Sequence, residues 1–488
     1  MFIKLNGNIL ISESRGMEKK TNIKSQNYQR ENLQSERRRI LLQQTTEYSV
    51  NFLDSLESRR VNPSQDELNE LEKLNIPFQE ESIDPESVIK LLSEVGSKTT
   101  IANAGGRYFG FIIGGSHPVS VAANWLASVW DQNGGLGVTS PLNARIEEIT
   151  SEWLKEILPV SKDSVAGFVT GVTVANFCGL AAARHSILKK QGWNVESDGL
   201  FGAPEIKVVV GEHAHGSLLK ALSLAGFGSK RVLTVPVDKQ GGMLADKLPE
   251  DIDDRTIVCL QSGSVNTGAF DPAEKIIPEC KKKGAWVHVD GAFGLWAGAS
   301  PKKSHLTDGV ELADSWATDA HKWLNVPYDS GIVFVKNPDD LRSAMSIEAA
   351  YLDQSGNRVP YHYTPELSKK ARAIEIWATL RSLGKKGIAD LIDRTCSHAE
   401  KFAEGLRKAG YKILNDVVVN QVIVSFGSSE ITDKIISEIQ KDGTCWVGGT
   451  KWNGESAMRI SISSWATTDN DVERSLEAMI RIAKEFAV

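Results

Sequence analysis

The chain has 488 residues, 41% of them hydrophobic and 24% charged, with a formal net charge of −6. That mix belongs to a folded globular protein of two or three lobes. The mild negative charge excludes a general pull toward nucleic acid or an anionic membrane surface. No apolar run is long enough to span a bilayer. The five scattered cysteines include no CxxC pair, which argues against a disulfide framework or zinc site and for a reducing cytoplasm.

In chain order, the first eleven residues are weakly apolar and lack the small-residue cleavage pattern of a secretory signal, and Met17 offers an alternative start. Residues 35–57 read as an amphipathic helix, with an apolar stripe that includes Ile40, Leu41, Tyr48, Phe52, Leu53 and Leu56. Such a stripe needs a partner surface, and a second subunit is the natural one. Short helices and turns are expected from Pro63 to Gly96, then a glycine-rich aromatic segment, Gly105 to Phe111.

From about 120 to 335, β-branched runs alternate with helix-like stretches. The runs are Lys207–Val210, Arg231–Val235, Ile257–Leu260, Ala285–Val289 and Gly331–Val335. This is the pattern of a mainly parallel sheet covered by helices. Ala371–Leu383 reads as a helix ending near Gly384, and the tail from about 395 as a smaller α+β lobe. The expected division is 1–95, an N-terminal helical segment; 96–345, a large domain; and 346–488, a loop with a small domain.

Three strand-end turns, one aspartate and one lysine carry chemistry. Gly167-Phe-Val-Thr-Gly171-Val172-Thr173 leads into a helix, whose unpaired N–H groups and dipole suit a phosphate; a plain capped helix carries the same residues. Glu212-His213-Ala-His215-Gly-Ser217 brings two histidines to a turn, and His215 is preferred for stacking on a ring and for proton transfer. Gln261-Ser-Gly-Ser264-Val265-Asn266-Thr267 ends another strand in small polar residues. Finally, Val287-His288-Val289-Asp290 delivers a carboxylate from a buried strand, and Thr318-Asp319-Ala-His321-Lys322 delivers a lysine about thirty residues later. A lysine for a Schiff base and an aspartate for the ring nitrogen are the minimum equipment for pyridoxal phosphate.

Together these segments resemble the group II pyridoxal-phosphate-dependent decarboxylases, over about residues 60–480. The resemblance includes HVDGAFG at 288–294, DAHKW at 319–323, Thr-Pro-Glu-Leu-Ser at 364–368 and the stretch Ala371 to Trp377. It implies fold type I of the pyridoxal-phosphate enzymes: a mainly parallel seven-stranded large domain with a smaller α+β domain. It also implies a homodimer in which the N-terminal segment wraps its neighbour. By the resemblance, Lys322 forms the Schiff base, Asp290 pairs with the ring nitrogen, His215 stacks on one face of the ring and Ala292 lies on the other. Gly171, Val172 and Thr173 hold the phosphate with His321 nearby, and Arg459 meets the substrate α-carboxylate.

Three positions depart from the pattern. Asp319 stands where many members have Asn touching the phosphate. Ser264-Val265-Asn266 replaces a Thr-rich turn. The catalytic-loop segment, Tyr351 to Pro365, is short, leaving Tyr361 (preferred) or Tyr363 as proton donor. Tyr108, Phe109 and Phe111 offer an aromatic wall for a small amino acid substrate. The expected reaction is decarboxylation of an L-amino acid to an amine. The alternatives are aldehyde synthesis, transamination or carbon–carbon lysis on the same scaffold, and a non-catalytic cofactor-binding protein.

Overall fold

The computed structural model describes residues 34–346 and 358–486. Met17 and Tyr351 lie outside the described residues. The chain packs as two compact units: the residues before 60 with Pro63–Ile101, and Arg60–Asn62 with Ala102 onward.

In the first unit a helix (α1) spans 34–55, close to the expected span. Ile40, Leu42, Val50 and Leu53 on it are exposed. Helix α2 (Gln65–Asn69) starts on a Ser64/Glu67 capping box, and α3 (Pro85–Thr99) on an Asp84 cap with proline in its first turn. At 15 residues α3 is longer than the short helices expected there.

The second unit opens with two proline-initiated helices, α4 (Pro118–Trp130) and α5 (Pro141–Ile157). A seven-stranded sheet follows: β1 (Val165–Val169), β2 (Lys207–Gly211), β3 (Leu233–Val235), β4 (Thr256–Gln261), β5 (Trp286–Asp290), β6 (Ser315–Asp319) and β7 (Gly331–Val335). Its order is β1-β7-β6-β5-β4-β2-β3. Strands β3, β2, β4, β5 and β6 pair in parallel, and β7 runs antiparallel to β6 and β1. The connecting helices are α6 (Val172–Lys190), α7 (Val195–Asp198), α8 (Gly216–Leu224), α9 (Ala273–Lys282) and α10 (Pro338–Met345).

Because side chains alternate along a strand, the sheet feeds two cores. Phe168, Val258, Val287, Val289, Ile332 and Phe334 join one. Val169, Val210, Ile257, Val333 and Val335 join the other, with α6 and α8. Both faces being covered is why these strands read as continuous apolar runs.

The helical stretch α11 (Ala373–Lys408) is broken at Gly384, where the sequence led us to expect a helix end: Gly384 takes the non-helical φ 61°, ψ 178°, and a second helix runs on from it to Lys408. The smaller sheet, order β10-β11-β9-β8, is antiparallel: β8 (Lys412–Ile413), β9 (Gln421–Ser425), β10 (Gly448–Trp452) and β11 (Glu455–Ser461). Helices α12 (Ser429–Asp442) and α13 (Asp469–Glu485) and the far half of α11 cover it. Among the described residues no helix is long and apolar enough to cross a membrane, and all five cysteines are free and buried.

Candidate active site

Strands β4, β5 and β6 are parallel neighbours, so their carboxyl ends open on one edge of the sheet, where ligands bind in such folds. Gln261, Asp290 and Asp319 are their last residues. Lys322 follows Asp319 by one turn. Its Nζ lies 3.2 Å from Asp319 Oδ2, with the side chain 17% exposed, so the amine is reachable from solvent. Buried Trp323 and Leu324 anchor the turn behind it.

The turn from β1 into α6 forms the anion-binding end. It sits tight against the start of β7: a Cβ on Gly331 would fall 2.4 Å from Gly171 Cα, so only glycine allows the approach. Of the leading N–H groups of α6, those of Val174 and Ala175 reach the Gly171 carbonyl. That of Thr173 has no acceptor among the described residues. The Val172 N–H donates to Asp319 Oδ1 at 2.6 Å. The Asp319 carboxylate thus accepts a donor from the anion-binding turn. His321 accepts from the Ser330 N–H through Nδ1 at 3.1 Å, and its Nε2 stands 3.5 Å from Asp319 Oδ2. Burial lowers its pKa, opposed by Asp319. The Tyr328 ring lies 4.3 Å from the His321 ring.

Asp290 is buried at the next strand end. Its Oδ1 accepts from the Ala292 N–H at 3.2 Å and its Oδ2 from Asn176 Nδ2 at 3.0 Å. Burial raises its pKa, and the Asn176 donor, His215 and Lys322 pull the other way. His215 caps α8: Nδ1 accepts from the Ser217 N–H, so a neutral ring carries its proton on Nε2. Burial lowers its pKa; Asp290 and Asp319 oppose this, and Lys322 and Arg459 reinforce it. All four charges therefore act on His215. His213, the competing histidine, instead packs edge-on against Trp452.

Arg459, on β11 of the smaller sheet, is 8% exposed. Its guanidinium donates to Asn266 Oδ1 at 3.2 Å, and Thr450 Oγ1 donates to the same oxygen at 2.8 Å. No carboxylate lies within ion-pair distance among the described residues. A buried guanidinium with one neutral partner is a receptor for an anion. Burial lowers its pKa.

Two sequence expectations are corrected. Phe109 does not line the site: it is fully buried in the smaller lobe's core, edge-on to Phe402, because its neighbours Tyr108 and Phe111 take the opposite side. Tyr108 stacks on Trp446 at 5.0 Å, and burial pushes its hydroxyl up to about 12. Phe111 is exposed beside Trp446. Tyr361, expected at a loop tip, is 1% exposed instead. The 3₁₀ turn Pro360–Tyr363 buries it, its N–H donates to the Gly135 carbonyl, and its hydroxyl pairs with His362 Nε2 at 2.9 Å. Tyr363 lies under the Arg358 guanidinium at 4.3 Å, on the wall of a cavity of about 790 Å³.

Sequence reading missed Asn176, Tyr328 and Trp446. Asn176 left a signal: it stands one turn past Gly171 on the helix that follows β1. Tyr328 and Trp446 left none beyond being aromatic.

Comparison with known proteins follows the same lines. The pyridoxal-dependent decarboxylase conserved domain matches residues 80–427. An aromatic-L-amino-acid decarboxylase of Bacillus atrophaeus is 25% identical over 94% of this chain and 98% of its own length. An L-2,4-diaminobutyrate decarboxylase of Acinetobacter baumannii is 26% identical over 75% of this chain and 76% of its own. Among solved structures, Oryza sativa TDC with PLP and tryptamine superposes with a TM-score of 0.85 at 20% identity, over 92% of this chain and 97% of that one. Mouse CSAD does so at 0.83 and 19%, over 91% and 98%.

Proposed function

The chain belongs to the pyridoxal-dependent decarboxylase family, and from that premise we propose that it removes CO2 from an L-amino acid and releases the amine, with Lys322 as the covalent attachment point of pyridoxal phosphate. The enzyme is a pyridoxal-phosphate-dependent carboxy-lyase of fold type I; the assignments to its residues are our own reading.

The donor set fits the cofactor. A reachable amine, a buried carboxylate, a histidine ring at a helix cap and a free N–H at a helix start stand at neighbouring strand-to-helix turns. When bound, pyridoxal phosphate supplies an aldehyde for attachment to an amine and an electron-poor ring that takes up the electron pair left on Cα. Lys322 attaches it. Asp290 keeps a negative charge at the ring nitrogen, and His215 and Ala292 flank the ring. The Gly171–Thr173 backbone and His321 receive the phosphate. There Asp319 competes, because it already accepts from the Val172 N–H.

The observation that carries the reading is Arg459: a buried guanidinium with no carboxylate partner among the described residues, whose charge acts on the same histidine as those of Lys322 and Asp290. It holds the α-carboxylate, Asn266 aims it, and that grip selects the bond to CO2 for cleavage. Tyr108 on Trp446 forms the wall for the substrate side chain. The exposed apolar residues Trp125, Leu126, Val129 and Trp130 of α4, with Val138 and Leu142, make a face that a second copy of the chain covers. We place the homodimer in the cytoplasm, on the strength of the free buried cysteines. The test is to incubate the pyridoxal-phosphate-loaded protein with the twenty amino acids plus diaminobutyrate and ornithine, and to quantify CO2 and amine. CO2 release from none of them would overturn the reading.

A second reading, aldehyde formation, rests on Tyr361. Its hydroxyl is buried against His362, so it returns a proton to Cα only from a different placement of residues 358–363. Otherwise His215 serves, or oxygen intervenes. Equal amine yield from Tyr361→Phe and wild type removes the tyrosine. Peroxide and ammonia from the wild type itself establish the second reading.

A further inference from the structure

Strand β5 places Trp286, His288 and Asp290 on one face, toward α6, because alternate residues share a side. All three are buried, as are Ser315, which pairs with His288 from β6, and Asn176 of α6. Their polar atoms touch in series. Trp286 Nε1 is 2.9 Å from Ser315 Oγ, and Ser315 Oγ is 2.8 Å from His288 Nδ1. His288 Nε2 is 2.9 Å from Asn176 Oδ1, and Asn176 Nδ2 is 3.0 Å from Asp290 Oδ2.

The direction of every bond is determined from the two ends. An indole N–H only donates, and an ionised carboxylate only accepts. Asn176 must therefore turn its amide nitrogen to Asp290 and its oxygen to His288, so His288 Nε2 carries a proton. Burial drives the His288 pKa down to about 3, so the ring is neutral and Nδ1 accepts. Ser315 donates to that nitrogen and accepts from Trp286. Gly179 makes room for the ring: a Cβ there would lie 2.8 Å from His288 Cε1.

We propose that Trp286, Ser315, His288 and Asn176 are positioning residues for Asp290, a one-way donor chain that ends on its Oδ2 and holds its negative charge against the cofactor's ring nitrogen. The physical case is a competition. Burial alone favours a protonated Asp290, and a protonated acid leaves no charge to keep a proton on the ring. Two N–H donors, from Asn176 and Ala292, favour the carboxylate. The Ala292 donor belongs to the backbone and is fixed by the strand end. The Asn176 donor can rotate, and the chain behind it removes that freedom. His215 and Lys322 add positive charge to the same carboxylate, and Asp319 opposes them. The chain thus fixes which way Asn176 points.

This rests on the reading of Asp290 as the ring-nitrogen partner, so the test has one arm that does not. In the cofactor-free protein, infrared titration of the Asp290 carboxylate, identified by subtracting Asp290→Asn, reads its proton affinity directly. We expect Asn176→Ala and His288→Phe to raise its pKa by about one unit or more, and Trp286→Phe, which keeps the ring and loses only the first donor, to raise it less. In the loaded enzyme, nitrogen-15 NMR of ring-labelled cofactor should move from the pyridinium toward the neutral-pyridine position in the same order. Folding is monitored by circular dichroism, and Trp286→Phe and Gly179→Ala serve where a larger change disrupts the protein; Gly179→Ala pushes on the ring without removing a polar atom. Unchanged titration in folded Asn176→Ala, His288→Phe and Trp286→Phe would overturn the proposal. A shifted titration in a protein that binds no pyridoxal phosphate would leave the charge-holding chain standing and sink the cofactor reading instead.

Discussion

Two aspartates end neighbouring strands of one sheet, and the chain treats them differently. Asp290, at the end of β5, has each oxygen assigned to a single N–H donor, one of them backed by three further side chains. Asp319, at the end of β6, shares its oxygens among the Val172 N–H, Lys322 and His321. On our proposal two of the donors at Asp319 are also wanted by the cofactor: the N–H by the phosphate, the amine by the aldehyde. On that reading one carboxylate is built to keep its charge in place, and the other to give up its partners. The lesson is that burial and residue type do not determine a carboxylate's job; whether its donors have a competing use does.

The largest effect should follow Lys322→Ala, which removes the amine and one partner of Asp319. Turnover should vanish, and borohydride reduction followed by mass spectrometry should find no cofactor bound to the chain. A retained lysine-linked adduct would mean that another lysine is the attachment point. Next comes Asp290→Asn, which keeps the shape of the fixed end but not its charge. Turnover should drop by orders of magnitude with the fold and cofactor occupancy intact. Near-wild-type kcat would erase the distinction between the two strand ends.

Asp319→Asn sharpens the comparison from the other side. Losing a negative charge that competes for the Val172 N–H should tighten pyridoxal phosphate about tenfold, roughly one charged hydrogen bond, and leave phosphate-free pyridoxal almost unchanged. The ratio of the two dissociation constants is the readout, and a constant ratio would mean that Asp319 does not compete for the phosphate site.

The smallest effect concerns stability. His288 has its pKa lowered to about 3 in the fold, against about 6.5 for a free histidine. Between those values the unfolded chain binds a proton that the folded chain does not. Stability should thus fall as pH falls through this window, by roughly 2 kcal/mol at pH 5. Below about 3 the folded state is protonated too and the loss stops growing. Comparing urea midpoints of wild type and His288→Gln at pH 7 and pH 5 isolates this residue: the wild type should lose more. Equal losses would mean that His288 is hydrated or already charged.

Much of this was legible in the sequence. The run Trp286 to Asp290 reads as a buried strand because it is a mostly apolar, β-branched run that ends in a carboxylate, and the lysine after Asp319 reads as a strand-end amine because a similar stretch precedes it. The β-branched runs located five strands to within a residue or two, and glycine and threonine marked the turn at 171. These are local signals, set by side-chain alternation and by which residues tolerate a turn.

What the sequence could not decide depends on which residues distant in the chain come within hydrogen-bond reach. Asn176 is 114 positions from Asp290 and meets it because α6 crosses the ends of β5 and β6. Arg459 and Asn266 are 193 apart and meet between two sheets. Phe109 and Tyr361 read as candidate site residues, and packing buried them elsewhere. The sequence by itself determined the strand ends and placed Asp290 and Lys322, the two residues we propose for pyridoxal-phosphate chemistry, at them, because covalent neighbours specify those. Only tertiary structure decided which donors each of the two carboxylates meets, because those donors are supplied by other elements and by the packing that excludes water.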